Sequence, residues 1–133
     1  MDNGFVISGV SYAFSNVENE FCMKVLKSVL LRYGFKNILT GVHKTEDTYR
    51  EEPVYLVQTL VPMLSKDLLF LGALARYMKQ EYYVEVWNRS AYKVKYQQRT
   101  RIGNWLGYPT DEVPDSIKTY TYLPEEAIVF YTN

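Results

Sequence analysis

Lys93, Lys95, Arg99 and Arg101 occupy four of five successive odd positions, so one extended strand through them would project all four from a single face. Tyr92, Val94 and Tyr96 alternate with them and would then face the core. The window 76–101 holds seven basic and two acidic residues, a local excess of positive charge. With Trp105 and Tyr108 near its end, such a face could hold phosphates and stack a base. Lys93, Lys95, Arg99, Arg101, Trp105 and Tyr108 are therefore the candidate binding residues. The competing reading, and the commoner fate of a charge run, is a solvated strand face answering an acidic tail. In 102–133, Asp111, Glu112, Asp115, Glu125 and Glu126 stand against one base, Lys118.

The polar segment 43–52 carries the only histidine, His43, with two threonines, a lysine, an arginine and four carboxylates. A histidine beside a carboxylate can serve as a general base, which admits a small hydrolase. One histidine furnishes neither two-histidine catalysis nor a histidine-rich metal site, and Glu51 and Glu52, as adjacent strand residues, point apart. No catalytic or metal-binding residue is assigned. Cys22 lies on the apolar stripe of a helix, where a thiol is a small hydrophobe. Gly103 and Gly107 lack the lysine and helix of a phosphate loop and read as turn residues. Thirteen tyrosines exceed what a small core needs, so some reach the surface, where they favour interfaces.

These residues belong to a chain of 133, a length that suits one domain able to bury a core without staples. With 47% hydrophobic and 23% charged residues it is far from a disordered composition. Fifteen bases against fifteen acids leave no net charge, which argues against a strongly basic nucleic-acid binder and a polyanion mimic. A single cysteine excludes an intrachain disulfide and suits a reducing compartment. The start of the chain reads without a cationic, apolar leader, and its most apolar run is far short of the roughly 20 residues of a spanning helix. The expected location is the cytoplasm, with no membrane partner.

Hydrophobic spacing supplies the scaffold. Cys22, Val25, Leu26, Val29, Leu30 and Tyr33 fall on one helical face, with a capping box from Ser15 to Glu18 before it and Gly34 after it. A second amphipathic helix runs from an N-cap at Ser65 to about residue 80. Strands are expected at 4–10, 35–42, 54–61, 82–87, 91–96 and 127–132, with a short hairpin loop at 88–90. The glycines and prolines of 97–126 mark that stretch as irregular.

The order strand, helix, strand, strand, helix, strand predicts an α+β, ferredoxin-like βαββαβ core over 1–96, with two helices on one face of an antiparallel sheet. An added strand and a C-terminal extension, 97–133, pack on that core within one domain. Read together, GFVISGV, LLRYGF, YREEPVYLV and LARYMKQEYYVEVW resemble a family of small uncharacterised proteins found in bacteria and tailed phages, over residues 4–96. The resemblance brings no catalytic residues with it. It implies a phage-encoded accessory protein that antagonises a host enzyme or defence system in the host cytoplasm.

The expected function is thus non-enzymatic: stoichiometric contact with a host macromolecule, a host protein first among partners, and no cofactor. A nucleotide or nucleic-acid binder using the basic face is the alternative. Edge strands of an open sheet would also permit a homodimer.

Overall fold

The computed structural model describes residues 1–11, 13–45 and 51–133. In chain order its elements are Gly4–Ile7 (β1), Asn16–Tyr33 (α1), Asn37–Lys44 (β2), Glu51–Gln58 (β3), Ser65–Tyr77 (α2), Tyr83–Trp87 (β4), Ser90–Lys95 (β5), Gln98–Pro109 (β6), Tyr120–Leu123 (β7) and Ile128–Thr132 (β8). One turn of 3-10 helix, Thr110–Glu112, lies between β6 and β7.

All strand pairings are antiparallel, and they close on themselves in the order β1-β3-β2-β7-β8-β6-β5-β4, with β4 returning to β1. The α+β, ferredoxin-like expectation is overturned: the architecture is a closed eight-stranded barrel carrying two helices. The physical cause is the C-terminal third. Strands β5, β6, β8 and β7 continue the sheet from β4 round to β2, so no open edge is left on either. A homodimer made by pairing edge strands loses its basis with them.

Strand alternation gives the barrel two cores. Val6, Leu39, Val54, Leu56, Val84, Val86, Ala91, Trp105, Leu123 and Phe130 come from all eight strands and fill the inside. The opposite parity of β1, β3, β4 and β5 places Phe5, Ile7, Tyr55, Val57, Tyr83 and Val94 on the outer wall, where α1 and α2 cover them. From α1, Met23, Leu26 and Leu30 make that cover, and from α2, Leu71, Leu74 and Ala75. Each of these leucines and Met23, when buried, contributes about 1.5–3 kcal/mol of transfer free energy.

The helices are held where local chemistry starts them. Ser15 and Glu18 form a reciprocal capping box, and Gly34 ends α1 with φ 120°. At α2 the cap lies one residue before Ser65: the Asp67 carboxylate accepts from the Leu64 amide at 3.0 Å and from the Tyr33 hydroxyl at 2.7 Å. That second bond ties the end of α1 to the start of α2, and the Tyr33 ring stacks on Phe70.

The stretch expected to be irregular contains the longest strand. β6 pairs with β5 through its first half and with β8 through its second, turning between them at a bulge near Gly103. Gly107 lies beneath the Phe130 ring, where a β-carbon would come within 2.6 Å of the ring. Glycines that look like turn residues in the sequence are here a bulge and a ring-packing site inside a strand.

Candidate functional site

The tight connection between β5 and β6 decides the fate of the basic stripe. Tyr96 and Gln97 both adopt left-handed backbone, with φ 50° and 70°, and reverse the chain within two residues. The four bases therefore sit on two strands. Val94 pairs with Arg99, Tyr92 with Arg101, and Lys93 with Thr100. Side chains opposite one another share a face, so Arg99 and Arg101 share the outer wall with Val94 and Tyr92, and Lys93 and Lys95 take the other face. Tyr96, expected to face the core, is instead exposed at the turn.

Each base of the stripe already has a partner. Lys95 Nζ binds the Glu81 carboxylate at 2.9 Å, raising the lysine's pKa and lowering the acid's. Lys93 Nζ lies over the Tyr82 ring, 4.3 Å from its centre. Arg101 donates to the Asn104 side chain at 2.8 Å. Arg99 Nε binds the Glu85 carboxylate, and its guanidinium lies over the Tyr92 ring at 3.9 Å. Of the two aromatics, Trp105 is only 6% exposed and stacks on Phe130 inside the barrel. Tyr108 stacks on Tyr131 at the far end of β6.

What the fold brings together instead is a half-open groove of about 320 Å³ between α2 and the β5–β6 hairpin. One wall is a second stripe of α2, beside the one buried on the sheet, with Leu68, Leu69, Gly72 and Arg76 among its residues. The other is the hairpin, including Val94, Tyr96, Gln97 and Arg99. The Tyr83 hydroxyl, pushed up in pKa chiefly by burial, donates to the Leu68 carbonyl at 3.2 Å and fixes α2 against β4.

Two features depart from what stability alone would choose. Gly72, in the middle of α2, costs about 1 kcal/mol relative to alanine, yet a β-carbon there would meet nothing within 4 Å. The space it leaves is groove. Two consecutive non-glycine residues in left-handed backbone at Tyr96 and Gln97 add strain of order 1 kcal/mol each, at the groove's rim. The lining contains two guanidiniums and no carboxylate. Arg99 is neutralised by Glu85, whereas Arg76 has no carboxylate partner among the described residues. An isolated glycine inside a helical pattern was the available sequence signal for this site.

His43 belongs to β2, not to a loop, in register with Glu52 on one side and Thr121 on the other. Its Nδ1 lies 3.1 Å from the Thr121 hydroxyl, itself buried. Residues 46–50 of that polar segment are outside the described residues, and Glu51 and Glu52 begin β3. Burial pushes His43 below the ordinary histidine range; burial also pushes Glu52 up, with the Ser8 hydroxyl opposing. Among the described residues no group of three or more His, Cys, Asp and Glu gathers to hold a metal.

The His43 shift has a sign that can be measured. Its folded pKa lies below that of the unfolded chain, so the unfolded state binds the extra proton first as pH falls through about 6.5. Stability is unaffected by this group above that pH and declines below it. Urea midpoints at pH 7.5 and 5.5 should show a smaller acid loss in His43→Gln than in wild type, and equal losses would remove His43 as the source. Glu52 acts oppositely, favouring the fold at low pH and losing that contribution as pH rises through its elevated folded pKa.

No family model and no curated protein sequence matches this chain. Among the described residues no helix is long and apolar enough to cross a membrane.

Proposed function

We propose that the chain is a non-enzymatic binding protein of phage origin, an accessory or counter-defence factor that works in the host cytoplasm by stoichiometric contact with a host protein. The observation that carries this reading is a run of uncovered apolar side chains leading into and along α2. Leu60 is 97% exposed, Val61 and Leu64 follow it before the helix, and Leu69 and Tyr77 continue on the helix itself. Scattered exposed hydrophobics are normal on any surface, but five gathered in residues 60–77, with Leu69 lining the groove, mark an interaction face. The phage origin rests on the resemblance read in residues 4–96 of the sequence. The alternative, a nucleotide or nucleic-acid binder, draws on Lys93, Lys95, Arg99 and Arg101, whose charges are already engaged within the molecule.

Affinity capture from a bacterial lysate, followed by measurement of the complex's mass, tests the reading. One host protein should be retained in fixed ratio and released when Leu64 and Leu69 are both replaced by Glu. Failure of the wild-type chain to retain any protein would overturn it.

A further inference from the structure

We infer that the groove between α2 and the β5–β6 turn receives one large apolar side chain of a partner's polypeptide segment over Gly72, with a carboxylate of that same segment held by Arg76. This rests on the binding-protein reading above and names the part of the partner that the site would recognise.

Three observations converge on it. The first is space: the groove is floored by Leu68 and Val94 and opened by the missing side chain at Gly72, in a helix position where nothing else requires glycine. At about 320 Å³ it lies at the small end of ligand sites, a size for an anchoring side chain and its immediate neighbours. The second is charge. With no acid in the lining and Arg99 already answered by Glu85, the unmatched positive charge is that of Arg76, at the C-terminal end of the floor. A single carboxylate balances that one guanidinium, whereas a phosphate chain would bring more negative charge than the lining matches.

The third is the rim. Leu69 and Tyr96, which line the groove, and Tyr77, next to Arg76 on α2, are all more than half exposed. A segment of polypeptide lying along α2 would cover all three, Tyr77 included, which does not line the groove. Tyr96 and Gln97, held in left-handed backbone, present the hairpin wall that closes the site from the sheet side. Arg99 is a positioning residue here: anchored by Glu85 and stacked on Tyr92, it fixes the wall on which the partner's side chain rests.

The test uses the full chain and a fluorescein-labelled helical peptide bearing one tryptophan with glutamates one turn away, read by fluorescence anisotropy. A matched peptide with lysines in place of the glutamates, and ATP as competitor, complete the set. The acidic peptide should bind and the lysine peptide should bind at least tenfold more weakly. Gly72→Leu should weaken the acidic peptide by about 30-fold, as for loss of a buried anchor, and Arg76→Glu by about tenfold. Gly72→Leu is a sound probe, because leucine is the better helix former and its β-carbon enters open space. Equal binding of both peptides, no binding of either, displacement by ATP, or unchanged affinity in Gly72→Leu would each overturn the assignment. The host protein captured by wild type separates the two levels of the argument. If Gly72→Leu retains it in the same ratio, the groove assignment fails and the binding-protein reading stands; if wild type retains nothing, the reading itself fails.

Discussion

Arg99→Ala is expected to lower the stability of the fold by about 3 kcal/mol, seen as a drop in the urea midpoint at neutral pH. Glu85 is 1% exposed on the outer wall, in register with Phe5 and Tyr92, and Arg99 is its charge partner. Removing the guanidinium strands a carboxylate under the helices, which ordinarily costs about 3–5 kcal/mol. The lower end applies because the Arg99 side chain is 38% exposed and water screens part of the pair. Replacing both partners by apolar residues, Glu85→Met with Arg99→Leu, should restore most of the loss, since no charge then remains to be desolvated. A loss below about 1 kcal/mol in Arg99→Ala would show that the ion pair does not anchor the hairpin. The result bears on function as well, because Arg99 was first a candidate for phosphate binding and in the fold it is committed to Glu85.

Trp105 makes the second large effect. Its ring stacks on Phe130 in the barrel interior, so Trp105→Ala should cost about 3–5 kcal/mol through the cavity it leaves. The indole Nε1 is buried without a hydrogen-bond partner among the described residues. An unpaired buried donor costs about 1–3 kcal/mol, so Trp105→Phe, which removes it while keeping a ring, should lose far less than Trp105→Ala. Thermal or urea unfolding of the two variants decides the matter. If Trp105→Ala unfolds like wild type, the ring is not part of the core, and the stacking role suggested by its neighbourhood in the sequence would return.

Both cases show how far a sequence pattern carries. The alternation in 92–101 is real, but it was read across a turn that it does not announce. Two-residue hairpins favour Asn-Gly or a similar pair, because both central residues need positive φ. Tyr96-Gln97 meets that need against its own preference, so nothing in the residue types marked where β5 ends. A reversal between Lys95 and Arg99 then sent one half of the stripe to the opposite face. The glycines at 103 and 107 misled in the other direction, since the same residue serves turns and the tight places of a curved strand.

What the sequence determined by itself was local. The Ser15–Glu18 cap and Gly34 fixed the ends of α1, apolar spacing placed α2 and its core stripe, and β-branched runs located β3, β4 and β5 within a few residues. These depend on contacts within a turn or between successive residues, which composition and spacing record. The tertiary structure decided what lies far apart in the chain: closure of the barrel by β6, β7 and β8, the burial of Trp105, the pairing of Glu85 with Arg99, and the groove where α2 meets the β5–β6 turn. Each is a register or a packing contact between distant segments. Its energy exists only once the sheet has closed, so no local pattern could state it in advance.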